Sequence, residues 1–445
     1  MTLSTRQRLS LAGLLLLDSL SLVSTSVGAQ STAPNASSAA GSPGATATDT
    51  LEEQAAARVA AAVCNKHIVL LGELPEHGEA RGMGVKARIV ERLVARCGFR
   101  AVLFEAGSYD FFGLERSIAA RPRVAGGPTA TNASAGEIDS LELALARAIG
   151  GLWWTRELAG WRRWLVNEAV AGRVAIGGID DQTSATAAYA RATLPGMVGA
   201  ATPPARAAEC QQAVARYFSW GYSTNLPYDS TERARLADCA RLAADRASVA
   251  SAPNARPSER TPDEVMLQNL ASHFAREREV AERGPAATFN RDLAMARNFE
   301  WWSARLPRDA RIVVWTATVH AARTPGAQPV LPRGVPPLGA RLAERWGDRL
   351  AVIGFTALQG QWSRAGQPSR ALAPLPPQAL EARALTAGAP GDTAGWVYLD
   401  RTALRSLGSV PSRLFGNVTT ADWSTAFDGV VVIRDEAAPT FETRR

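Results

Sequence analysis

Residues 66–107, KHIVLLGELPEHGEARGMGVKARIVERLVARCGFRAVLFEAG, constrain the fold more than any other stretch. Two short apolar runs, 67–71 and 101–104, flank a segment with helical spacing. Each run is too short for a helix and leads into a carboxylate, Glu73 or Glu105. Between them Val85, Ile89, Leu93 and Val94 form one stripe, with Lys86, Arg88, Glu91, Arg92 and Arg96 around it. This pattern predicts a strand–helix–strand unit with buried parallel strands, and hence an α/β fold with a central, mostly parallel sheet flanked by helices. In open parallel sheets, ligands sit beyond the carboxyl ends of the strands. Glu73, Glu76, His77 and Glu105 are all expected at that edge.

The chain has 445 residues and a formal charge of +7, with arginines and acids interspersed. Such a mixture reads as a solvated surface, not as a nucleic-acid footprint. Residues 1–29 read as a secretory signal peptide. Arg6 and Arg8 precede an apolar stretch over 9–23, and Val27-Gly28-Ala29 supplies small residues before a cut ahead of Gln30. The stretch is short and interrupted for a membrane span, so no stable insertion is expected after cleavage. Residues 30–50 are rich in Ser, Ala, Thr, Gly and Pro, and are expected to be a disordered linker to a domain over 51–445. Four cysteines in an exported chain suggest two disulfides. Cys64 and Cys97 each precede a strand of the first unit, and Cys210 and Cys239 lie on two helices able to form a hairpin, which gives the pairing. A periplasmic or extracellular monomer is expected.

Helical periodicity covers 138–170, with Trp161 and Trp164 at core spacing and Trp153 and Trp154 beside a Gly pair that could line a pocket. A third strand is read at 173–178, leading into Asp180 and Asp181. Residues 183–305 read as almost wholly helical, broken near 201–204, 222–230 and 251–262, and form an inserted helical lobe or cap over the sheet edge. Further strands are expected at 312–315, 350–354, 396–399 and 429–433.

The chain has four histidines. His67 and His273 read as structural or surface residues, whereas His77 and His320 each follow a strand at its carboxyl end. There is no G-x-S-x-G elbow, no P-loop and no G-x-G-x-x-G after a strand. What remains is water attacking an electrophile, with His77 as base and a carboxylate, Glu73 or Glu76, orienting it. No metal or cofactor is called for; a metallohydrolase using Glu73, His77, Glu105 and His320 is a rival reading.

The order of the pieces resembles the erythromycin esterase-like family. They are Leu71-Gly72-Glu73, His77-Gly78, Gly98-Phe99 through Gly107, Trp153 with Thr155-Arg156-Glu157, Gly178-Ile179-Asp180, Arg291-Asp292 through Asn298, Val313 through His320, and Ala426 through Gly429. The resemblance implies metal-independent hydrolysis of a macrolide lactone ester, and with it antibiotic resistance. It places His77 as base, Glu73 as its acidic partner, Glu105 as a second glutamate, Lys86 at a basic position and His320 as the second histidine of A-H-N-x-H. Two positions depart from the family: G-E-x-x-H is stretched to G-E-L-P-E-H, and the first histidine of A-H-N-x-H is Ala317. If that missing histidine limits turnover, Ala317→His is expected to raise it. Haem-binding proteins grouped with this fold supply the other reading, a weak or inactive small-molecule binder.

Overall fold

The computed structural model describes residues 47–74, 77–121, 134–183, 187–219, 223–250, 256–284, 291–324, 335–386 and 395–442. The signal-peptide expectation, and all of the linker before Ala47, lie outside these residues. Residues 46–445 make one compact unit.

The strands are β1 (Ile68–Leu71), β2 (Phe99–Gly107), β3 (Ala175–Asp180), β4 (Arg311–Trp315), β5 (Leu350–Trp362), β6 (Arg370–Ala371), β7 (Trp396–Asp400), β8 (Ser409–Phe415), β9 (Asn417–Asp422) and β10 (Gly429–Glu436). The helices are α1 (Ala47–Val63), α2 (Ala80–Cys97), α3 (Ser108–Ala119), α4 (Ala135–Ala148), α5 (Ala159–Val170), α6 (Ala188–Ala201), α7 (Pro204–Ser219), α8 (Ser230–Ala250), α9 (Pro262–Arg283), α10 (Arg291–Arg305), α11 (Thr318–Ala321), α12 (Leu338–Trp346), α13 (Leu380–Thr386) and α14 (Arg401–Leu407).

One sheet runs β3-β2-β4-β1-β5-β10-β7, with β6 paired to the far end of β5. Its first six strands are mutually parallel, and β7 and β6 are antiparallel to their neighbours. The strands ending near Gly72, Phe104, Gly178 and Trp315 are therefore neighbours, as the sequence implied. In register, Leu71 faces Trp315, and Phe104 faces both Trp315 and Gly178.

Alternation along the strands divides the core between two faces. Ile68, Leu70, Ala101 and Leu103 pack with α6–α10, while Val69, Leu71, Val102 and Phe104 pack with α1, α2, α4 and α5. Parallel strands covered on both faces must be apolar throughout, which is why the β1 segment reads as an unbroken run. The helical stretch breaks close to the expected places, but it packs against one face of the sheet. At the sheet edge, Arg276 in the last two turns of α9 pairs with Asp181, and Arg291 at the start of α10 pairs with Glu105 and Asp180.

Several boundaries shift. α1 begins at Ala47, inside the stretch expected to be linker. β5 continues well past Gly354 because its polar end pairs with β6 and β10. The β8–β9 hairpin has no counterpart in the sequence reading. α2 begins against Glu436, whose carboxylate accepts the otherwise unpaired N–H groups of Arg81 at 2.7 Å and Gly82 at 3.1 Å. Both expected disulfides form: Cys64–Cys97 and Cys210–Cys239, with Cα separations of 5.2 and 5.3 Å. Among the described residues no helix is long and apolar enough to cross a membrane.

Candidate active site

The loop after β1 is pinned by two close backbone approaches. A Cβ on Gly72 would lie 2.6 Å from Thr318 Oγ1, and one on Gly78 would lie 2.2 Å from the Ser363 carbonyl. Only glycine fits at either place. Between them the Glu73 carbonyl accepts the Thr318 N–H at 2.7 Å, and the His77 N–H donates to the Leu74 carbonyl at 3.0 Å. His77 adopts φ 54°, the one positive φ outside glycine among the described residues. This left-handed residue closes the G-E-L-P-E-H stretch. It costs of order 1 kcal/mol and persists because the flanking contacts over-determine it. Glu76 lies outside the described residues.

The turn brings His77 Nδ1 to 2.5 Å from Glu73 Oε1. Among the described residues, Glu73 is the carboxylate that His77 contacts, four residues away. The same oxygen accepts Trp153 Nε1–H at 2.9 Å. The other oxygen accepts Trp315 Nε1–H at 2.9 Å and is ion-paired with Lys86. Lys86 is fully buried, not on the polar flank of α2 where the helical pattern put it. Its ammonium stands 4.2 Å from the centroid of the Trp315 ring. Burial alone would raise the Glu73 pKa, but Lys86 and the His77 hydrogen bond outweigh it and hold the carboxyl below its ordinary value. Burial pulls the Lys86 ammonium down, more than Glu73 holds it up.

Across β4 lies a second cluster. Glu105 Oε2 accepts Thr316 Oγ1–H and the Ala317 N–H, both at 2.6 Å. Its Oε1 accepts Arg291 Nη2–H at 2.8 Å and lies 3.4 Å from His320 Nε2. Arg291 also donates to Asp180 Oδ2, at 2.6 Å from Nη2. Burial pushes the Glu105 carboxyl up, while His320 and Arg291 pull it further down, to well below the usual range. His320 Nδ1 is 2.9 Å from Asp292 Oδ1, which also accepts the Leu338 N–H at 2.7 Å. Burial lowers the His320 pKa, but Asp292 and Glu105 raise it by more, so it stands above its ordinary value.

The structure thus gathers Glu73, His77, Lys86, Glu105 and His320 at one sheet edge. The sequence reading does not give Arg291, Asp292, Trp153 or Trp315 a role, although all four stand in or beside the pieces that carry the family resemblance. Trp315 stands in the Val313–His320 piece, but its contact with Glu73 follows from the pairing of β4 with β1. Among the described residues no group of three or more His, Cys, Asp or Glu side chains is disposed to hold a metal ion. Cavities of about 220 and 520 Å³ lie elsewhere, among α8, α9 and α10, lined by Arg260, Gln268, Ser272 and Arg297.

The family model described as Erythromycin esterase matches residues 94–436. The chain belongs to the erythromycin esterase family. Its matched span holds Glu105, Arg291, Asp292 and His320, and starts after Glu73, His77 and Lys86. Three solved structures share the fold. One is a Bacillus cereus protein, 16% identical, TM-score 0.60, covering 89% of this chain and 99% of its own. A succinoglycan biosynthesis protein is 15% identical, TM-score 0.62, with 86% and 92% covered. A histidine-to-asparagine mutant of the erythromycin esterase EreC in its open conformation is 15% identical, TM-score 0.59, with 87% and 95% covered. No curated protein matches the sequence. Membership in the erythromycin esterase family supports an esterase-like hydrolase with a small-molecule substrate.

Proposed function

We propose that the protein hydrolyses an ester or lactone with water activated by His77. The observation that carries this reading is the 2.5 Å contact between His77 Nδ1 and the ionised Glu73. A carboxylate can only accept there, so Nδ1 bears a proton, and in the neutral ring Nε2 keeps its lone pair. His77 Nε2 makes no hydrogen bond among the described residues, and its side chain is 12% exposed. Water gives its proton to Nε2 as its oxygen adds to the ester carbonyl. The tetrahedral intermediate then expels the alkoxide, which recovers the proton from the imidazolium. Glu73 stabilises that imidazolium, and the Arg291 guanidinium at the same sheet edge is assigned to the developing oxyanion.

A panel of macrolides, simpler lactones and aryl esters tests the reading. His77→Ala is expected to lower the rate on any substrate by ~10²–10⁴. Turnover untouched by His77→Ala would contradict it, and no turnover across the panel would leave a small-molecule-binding protein. The proposal includes export, supported by the two disulfides and the pattern of residues 1–29. The mature protein should begin at Gln30 and carry no free thiol.

A further inference from the structure

We propose that Trp153 and Trp315 are positioning residues whose indole N–H groups fix the Glu73 carboxylate, and through it the imidazole of His77. This rests on the hydrolase reading above and assigns two further residues to its machinery. Each carboxylate oxygen accepts one charged or histidine donor and one indole donor. Oε1 takes His77 and Trp153, and Oε2 takes Lys86 and Trp315. A carboxylate held only by His77 and Lys86 can still turn about its Cγ–Cδ bond. Two further donors from different elements fix the plane of the group.

The donors are themselves immobile. Trp153 and Trp315 are both fully buried. Phe104 packs at 5.9 Å from Trp153 and 6.0 Å from Trp315, and Trp161 packs at 5.1 Å from Trp315. Each indole also meets a second member of the cluster. Trp153 stands edge-on to the His77 ring at 5.6 Å, and Trp315 offers its face to Lys86. A core tryptophan needs only one acceptor for its N–H. That two of them, from the loop before α5 and from β4, converge on one carboxylate beside a candidate base is what separates this arrangement from ordinary packing. Neutral indoles also satisfy Glu73 without adding a cation that would drain its pull on His77.

The test is the titration of Glu73 followed by carbon-13 NMR of glutamate carboxyls, with the signal assigned by its loss in Glu73→Gln. In the native protein the midpoint should lie below the ordinary glutamate value. Trp153→Phe and Trp315→Phe keep a ring in place and remove the N–H. Each should raise the midpoint by roughly one unit or more, the worth of a hydrogen bond to a charged group. Should either phenylalanine variant misfold, the isosteric benzothienylalanine at that one position removes the N–H alone. A midpoint that stays put in the folded variants would overturn the proposal and make both tryptophans plain core. The titration needs no substrate, so it fails or succeeds separately from the hydrolase reading. On an ester whose hydrolysis depends on His77, the same variants should lower kcat by about tenfold or more with little change in KM, as for a group that acts in the transition state.

Discussion

Glu73 and Glu105 stand on either side of β4, both almost fully buried, yet their surroundings differ in kind. Glu73 is met by one cation, one histidine and two neutral indoles. Glu105 belongs to a denser ionic set with Arg291, Asp180, His320 and Asp292. The histidines differ accordingly. His77 gives one nitrogen to its carboxylate, whereas His320 has Nδ1 on Asp292 and Nε2 within 3.1 Å of Arg291. The first arrangement leaves Nε2 of His77 without a hydrogen bond among the described residues. The second spends both nitrogens on holding charge in place around Glu105 and Arg291.

The largest expected effect breaks the Glu73 side. Lys86→Met leaves a buried carboxylate without its cation, and should cost about 3–5 kcal/mol in chemical denaturation. A loss below about 1 kcal/mol would mean that the site relaxes to admit water.

The two sides should also respond to pH with opposite sign. Glu73 has a folded pKa below 4.5, so its contribution is present above that value and lost as pH falls through the folded pKa. His320 has a folded pKa above 6.5, so its contribution is present below 6.5 and lost as pH rises through the folded pKa. The stability deficit of Glu73→Gln should therefore grow on moving from acid to neutral pH. That of His320→Gln should be largest at mildly acid pH and shrink above neutrality. Thermal unfolding of both variants across pH would show whether the slopes oppose.

Ala317 separates the sides further. Its N–H serves Glu105 and its methyl group is 2% exposed. Restoring the family histidine there should overpack the core and cost about 1–3 kcal/mol, against the gain in turnover that the sequence suggests. Higher activity with unchanged stability would reverse that judgement. A smaller effect tests the turn at His77. With φ at 54°, His77→Gly should be more stable than His77→Ala by about 1 kcal/mol, the cost of a Cβ in the left-handed region.

The fold was legible where periodicity is local. Unbroken apolar runs locate β1, β2 and β4, and the helix breaks at 201–204 and 222–230 are marked by Pro, Thr, Ser and Asn. β8 was missed because Pro411 sits within it and its partner β9 is polar. The burial of Lys86 was illegible from α2, because the carboxylate that permits it lies on another element. The same holds for Trp315, 242 positions from Glu73 in sequence. Residues that meet at a sheet edge announce themselves only through strand order, which no single segment encodes.

The central claim is that His77, and not His320, takes the proton from water. Chemical rescue tests it most directly. His77→Gly removes the imidazole at a backbone position that glycine favours, and added imidazole should restore ester hydrolysis in a concentration-dependent way. His320→Gly should not be rescued, because its lost ring bridged fixed protein groups. Rescue of His320→Gly with none for His77→Gly would exchange the two roles and contradict the account.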